Sequence, residues 1–377
     1  MKNYFWVAGL FLIIGACNSP ASDKTSINSE ESYKQPRNII LLIGDGMGPV
    51  QLQVGMLSNK GELNISKATH AGYMTTTSAS DFITDSGAAG TALATGKKTY
   101  NGAIGVDENG ESIPTILEMA KKSGYAVGVV ATSSITHATP ASFYAHQRHR
   151  RYDEAIAMDL VKSGVDVFMG GGRKFFTSRA DSLNLLDSLV ARNYYIADNQ
   201  EDTKNSGSKK LGWFIADEQP ASYLDGRGDF LPFATETALE FLSSISERGF
   251  FLMVEGSQID WGGHANSLEY IATEMIDFDQ AVGKAIDFAK ADGETLVIIT
   301  SDHETGGITI TGGTADSLKV NFSTPDHSAA MVPVFAFGPG AELFSGILDN
   351  TDIVPRIQKA WGWDIDSTSL SAGNKPK

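Results

Sequence analysis

The stretch Asn38-Ile39-Ile40-Leu41-Leu42-Ile43-Gly44-Asp45-Gly46-Met47-Gly48 decides how the chain is read. An aliphatic run without polar alternation is the pattern of a strand buried on both faces. It breaks off into glycines that permit a tight turn around a single carboxylate. The same kind of run recurs at Tyr125–Ala131, Val165–Met169, Phe250–Val254, Thr295–Thr300 and Val332–Phe337. Helix-like stretches lie between the runs, at Ser112–Ser123, Tyr152–Ser163, Glu236–Ser246 and Tyr270–Lys290. Strands alternating with helices predict an α/β fold whose central sheet is largely parallel and flanked by helices on both faces.

Acidic groups follow these runs with a regularity that hydrophobic folding does not require. Asp45 comes just after the first run, Glu255 ends the fourth, and Asp302-His303 follows the fifth. Ligands in open α/β sheets gather beyond the carboxyl ends of the strands, and a charge placed there needs a partner. Asp260 and His264 are spaced i, i+4, so one helical turn aims both the same way. His327 stands in the loop Thr324-Pro325-Asp326-His327-Ser328. Carboxylates and imidazoles without sulfur suit Zn²⁺ or a similar divalent ion. The stretch Thr84-Asp85-Ser86-Gly87-Ala88-Ala89-Gly90 is built of small residues. It predicts a tightly packed helix with Ser86 at its positive end, where metal coordination can activate a serine. No Gly-x-Ser-x-Gly elbow surrounds Ser86, which argues against a Ser-His-Asp hydrolase.

Composition narrows the field. The chain has 377 residues, with 30 Lys+Arg against 45 Asp+Glu and a net charge of −15. That balance argues against a nucleic-acid binder. A single cysteine, Cys17, excludes an intrachain disulfide and any cysteine-based metal site. Residues 1–16 combine a short basic start, an apolar run and small residues, as an export leader does. Ile14-Gly15-Ala16-Cys17 resembles a bacterial lipobox, in which case Cys17 tethers the mature chain to a membrane. An ordinary cleaved leader with an incidental cysteine is the other reading. Both give an exported protein, periplasmic or lipid-anchored. The expected organisation is leader 1–16, flexible tether 17–35, one catalytic domain 36–365 and a disordered tail 366–377.

Taken together, the segments from about Pro36 to Trp363 resemble the alkaline phosphatases. The matching stretches are Asn38 through Gly48, Thr84-Asp85-Ser86 through Gly102, His137-Ala138-Thr139-Pro140-Ala141, Val254-Glu255-Gly256 with Ile259-Asp260, and Thr300-Ser301-Asp302-His303. The resemblance implies a homodimeric phosphomonoesterase with two Zn²⁺ and one Mg²⁺ per chain, acting on small phosphate monoesters through a phosphoserine. By position it implies Ser86 as nucleophile. Asp260, His264 and His327 would hold the first zinc, and Asp45, Asp302 and His303 the second. Asp45, Thr139 and Glu255 would hold the third ion. Arg150, thirteen residues on from His137, would clamp the phosphate, with Arg148 and Arg151 as close competitors. Asp85 and His137 are expected to brace these groups from behind.

Two positions depart from the family pattern. His137 stands where some bacterial members carry Asp. Trp261 stands beside the phosphate and third metal, where others carry Lys or His, and an indole neither ligates a metal nor replaces a cation. These departures leave the identity of the third ion open, and Trp261 either meets the substrate or packs at the rim. The competing chemistry is a phosphodiesterase or related hydrolase of the same superfamily. The sulfatase variant lacks its Cys/Ser-x-Pro/Ala-x-Arg context here.

Overall fold

A computed structural model describes residues 34–205, 207–314 and 317–363. The leader 1–16, Cys17, the tether up to residue 33 and the tail 366–377 lie outside the described residues. Ten strands form the main sheet: β1 (Asn38–Gly44), β2 (His70–Thr75), β3 (Ala126–Ser134), β4 (Val167–Gly171), β5 (Tyr194–Ala197), β6 (Lys210–Phe214), β7 (Phe250–Gly256), β8 (Thr295–Thr300), β9 (Val332–Phe337) and β10 (Gly346–Asp349). Across the sheet their order is β10-β2-β9-β8-β1-β7-β3-β4-β6-β5. Every pairing is parallel except those of β9, which runs against both β2 and β8.

All six of the uninterrupted apolar runs lie in this sheet, and β1 and β3 are buried along their whole length. Alternate residues feed two separate cores. Ile39, Leu41 and Ile43 face one, where Ile116, Leu160 and Ile357 from three helices pack. Ile40 and Leu42 face the other, closed by Leu231 and Leu242 of the helix Phe230–Ile245 and by Met275 and Phe278 of the helix Leu268–Asp292. A strand covered on both sides has no reason to alternate polar and apolar residues, which is why its sequence reads as a continuous run.

The register brings the strand ends level. Ile43 pairs with Glu255 on one side and with Thr300 on the other, and Ala131 pairs with Glu255 from the far side. Loops leaving β1, β3, β7 and β8 therefore start from the same edge, and all the candidate ligands but His327 lie on or just beyond these four ends. His327 is brought in by a two-residue pairing of His327–Ser328 with Glu304–Thr305. Between those partners the chain makes an antiparallel hairpin, Ile308–Thr314 with Ser317–Phe322.

Candidate metal centre and active site

The helix Ser86–Thr95 is buried at every position. Asp85 caps it, Oδ1 accepting from the Ala88 N–H at 2.9 Å. Small residues are required because the helix lies against Ala138–Ala141. A Cβ on Gly90 would come 3.0 Å from Ser142 Oγ and 3.3 Å from Thr139 Cα. Ser86 is thereby set at the helix's positive end, its Oγ 3.2 Å from His303 Nε2.

Three groups of ligand-type atoms surround this serine. Asp260, His264 and His327 form one, Asp45, Asp302 and His303 a second, and Asp45, His137 and Glu255 a third, each within 4.8 Å internally. In the first, His264 Nε2 is 3.3 Å from Asp260 Oδ2, His327 Nε2 is 3.5 Å from Asp260 Oδ1, and the two imidazole nitrogens are 3.2 Å apart. The other ring nitrogens are occupied. Nδ1 of His264 donates to the Pro325 carbonyl at 2.6 Å, and Nδ1 of His327 to the Thr84 carbonyl at 2.8 Å. Their partners thus assign each ring the tautomer with its Nε2 lone pair facing inward. In the second group, His303 Nε2 lies 3.5 Å from Asp45 Oδ1 and 3.3 Å from Asp302 Oδ2. The rings of His303 and His327 stack at 3.6 Å and join the two groups.

The electrostatics are those of a cation site. Burial first, then repulsion from Asp302 and Asp260, pushes the Asp45 carboxyl well above its usual range. Burial and the charges of Asp260 and Glu255 push Asp302 up to about 8. Burial pushes Glu255 up to about 7 despite the Ser257 hydroxyl bonded to it. A hydrogen bond to Asp260 raises His264 to about 9. Burial favours a charged Asp260 least, yet His264, His303 and His327 hold its carboxyl below the usual value. Half of the buried side-chain polar atoms without a hydrogen-bond partner, among the described residues, are here: both oxygens of Asp45, Asp302 Oδ2, Glu255 Oε1, Thr139 Oγ1 and His137 Nδ1. Unpaired buried carboxylates are costly unless a cation compensates them. The donors present therefore fit divalent ions, with mixed imidazole and carboxylate groups for zinc and a more oxygen-rich third group.

Of the three neighbouring arginines, Arg150 is the one that reaches the site. Its Nη1 donates to Asp85 Oδ2 at 2.9 Å, and its Nη2 lies 3.2 Å from His137 Nε2. Burial alone would raise the Asp85 carboxyl, but Arg150 and the Ala88 and Gly102 N–H groups hold it below the usual range. Arg148 bonds the Asn109 carbonyl instead, and both Arg148 and Arg151 are exposed. Trp261 is half-buried, its ring edge-on to His137 at 6.1 Å. His137, read from sequence as a brace, stands in the third ligand group itself. Burial first, and then Arg150, lowers its imidazole to about 3, so it is neutral. Sequence reasoning missed Thr305, whose Oγ1 donates to Asp260 Oδ1 and lies 3.2 Å from His303 Nδ1. Nothing in its spacing signalled that role.

A sheet of this order ending in clustered cation ligands around a helix-borne serine defines a metal-dependent hydrolase. The alkaline phosphatase family model matches residues 36–319, and the chain belongs to the alkaline phosphatase family of phosphoric monoester hydrolases. It is 35% identical to alkaline phosphatase 4 of Bacillus subtilis, over 88% of this chain and 90% of that one. The structure of alkaline phosphatase from the Antarctic bacterium TAB5 superposes with a TM-score of 0.85 at 44% identity, covering 89% of this chain and all of that one. A variant of the TAB5 enzyme, with glutamate in place of a histidine, is described with Mg bound in its M3 site and matches at 43% identity and a TM-score of 0.85, over the same shares of the two chains.

Proposed function

We propose that the protein hydrolyses phosphate monoesters through a covalent phosphoserine on Ser86. The carrying observation is the Ser86 hydroxyl, buried at a helix N-terminus and 3.2 Å from a metal-ligand-type imidazole. Asp260, His264 and His327 would hold one Zn²⁺, Asp45, Asp302 and His303 a second, and Asp45, Glu255 and Thr139, with His137 at the edge, a Mg²⁺; bound there, the ions would supply neutralisation of the charge that develops in phosphoryl transfer. Arg150 binds two non-bridging phosphate oxygens through its planar fork, and Asp85 holds that fork in place. Asp85 also anchors the start of the Ser86 helix, so one carboxylate aligns clamp and nucleophile together. Ser86 Oγ loses its proton as it attacks phosphorus in line, the P–O bond to the ester oxygen breaks and that oxygen takes up a proton, and water then attacks phosphorus, breaking the Oγ–P bond so that Oγ regains a proton and phosphate is released. Phosphoryl transfer demands mainly such positioning and charge neutralisation. Trp261 lines the rim against His137 and meets the substrate from that side.

The leader-like residues 1–16 support export, and Cys17 supports a lipid anchor in the periplasm or at a bacterial membrane. Among the described residues no helix is long and apolar enough to cross a membrane. Assembly as a homodimer belongs to the same reading.

The test is purified protein loaded with Zn²⁺ and Mg²⁺, offered a phosphomonoester and a phosphodiester. The monoester is expected to turn over faster, and Ser86→Ala to trap no labelled phosphate and lose at least about 10³-fold in turnover. Faster diester turnover, or wild-type labelling of the variant, overturns the assignment.

A further inference from the structure

Glu304 is a buried carboxylate that none of the three ligand groups uses. It is 4% exposed and adjoins His303 in sequence. Its Oε1 accepts from Gln51 Nε2 at 2.6 Å, and its Oε2 accepts from the Ser328 hydroxyl and, at 3.3 Å, from the Gly307 N–H. Gln51 Nε2 also donates to the Thr305 carbonyl at 2.6 Å. Gln51 and Ser328 sit on two other ligand-bearing segments, whereas Thr305 and Gly307 belong to the His303 segment itself. Gln51 belongs to the helix Pro49–Ser58 that begins just after Asp45-Gly46-Met47-Gly48. Ser328 follows His327 and pairs directly with Glu304 across the two-residue ladder. One side chain thus binds the Asp45 segment to the His303 segment, and the His303 segment to the His327 segment.

From this geometry we propose that Glu304 is a positioning residue that sets the spacing of the first and second metal groups. It works through Gln51 and Ser328, and the proposal rests on the two-zinc reading above. His327 is otherwise the exposed end of its group's supply line. It arrives on a loop after a hairpin whose strands are largely exposed, and it is held by the short ladder, its ring Nδ1 bond to Thr84 and the contacts of the ring with Asp260, His264 and His303. The stacking of His327 on His303 at 3.6 Å requires the ladder to stay closed. A carboxylate can accept two or more hydrogen bonds on separate oxygens, which makes it suited to clamp two segments at once. Groups that orient metal ligands from behind commonly change metal affinity by about 10- to 100-fold when removed.

The experiment compares wild type, Ser328→Ala, Ser328→Thr and Glu304→Gln as zinc-loaded protein. Zinc release to a chromogenic chelator is followed alongside melting temperature after metal removal. Ser328→Ala is expected to release zinc at least about tenfold faster, with the metal-free melting temperature close to wild type. Ser328→Thr, which keeps the hydroxyl, is expected to restore slow release. Glu304→Gln, which keeps the volume but turns one acceptor into a donor, is expected to release quickly. Wild-type release rates in both Ser328→Ala and Glu304→Gln overturn the clamp while leaving the metal reading intact. A wild-type protein that retains no zinc overturns that reading, and the clamp with it.

Discussion

His137 stands where the third group of ligand-type atoms meets the Arg150 guanidinium. A neutral imidazole stands within the third group beside two carboxylates, and its Nε2 lies against the Arg150 guanidinium. If Arg150 donates there, the hydrogen of His137 sits on Nδ1, the buried atom without a partner. A ring held that way offers Mg²⁺ no lone pair, and Mg²⁺ prefers oxygen donors. His137→Asp adds a carboxylate to Asp45 and Glu255. The zinc-loaded variant should then bind Mg²⁺ about tenfold more tightly, or ~1.4 kcal/mol. Titration calorimetry with Mg²⁺ checks this, and an unchanged isotherm refutes it. This residue also marks where sequence reading stopped. Its motif, His137 through Ala141, was legible, but whether it braces the site or faces it depends on where β3 ends, and no spacing encodes that. Glu304, Gln51 and Thr305 were invisible for the same reason, since they act through contacts between segments far apart in the chain.

At the scale of elements, the turn after β1 is packed directly onto the helix Gln258–His264. Gly46 has φ +74°, and a Cβ there would sit 2.6 Å from Asp260 Cα. The left-handed backbone costs an alanine roughly 1–2 kcal/mol, and the contact with backbone adds a displacement that no rotamer relieves. Gly46→Ala should therefore lower both thermal stability and zinc content, because Asp45 and Asp260 are the residues pushed apart. Metal analysis of the purified variant checks this, and full zinc occupancy contradicts it. Strands buried on both faces were the readable elements. β2, β5, β6 and β10 escaped notice because they are short or partly exposed at the sheet's flanks, with glycines inside β2, β6 and β10. The reversed direction of β9 was likewise unreadable, since an apolar run carries no sign of which way it points.

For the whole molecule, burying several carboxylates ties stability to both metal and pH. Without metal, Asp45, Asp302 and Glu255 hold their protons more tightly than in the unfolded chain. An acid whose folded pKa is raised stabilises most below its unfolded value, and that contribution is lost as pH rises through the folded one. For Glu255 and Asp302 the loss runs from about pH 4 to about 7 and 8. His264, raised to about 9, loses its share between its ordinary value of 6.5 and 9. Bound cations favour the ionised carboxylates and the neutral imidazole, so they remove this penalty. Above about pH 6.5, where the lowered imidazoles of His137 and His303 no longer add stability with rising pH, the melting temperature of chelated protein should fall up to pH 9, and the gap to metal-loaded protein should widen over the same range. Parallel scans of both forms measure it, and a constant gap refutes it. The net charge of −15 belongs in this account. Asp45, Glu255, Asp260 and Asp302 contribute to it as equipment for holding cations, so it does not oppose an anionic substrate.

The level strand ends also govern the order in which the molecule can be made. Gly46 donates to Asp302 across 256 positions, and Thr84 meets His327 across 243. Each ligand group needs Glu255 or a residue beyond it, so an N-terminal stretch that ends before β7 completes none of them. The sheet must zip together through its central strands before the metal groups exist, and closing contacts at such separation is slow. Metal loading therefore follows the pairing of β1 with β7 and β8, and whichever ions surround the protein when its sheet closes decide how it is first loaded.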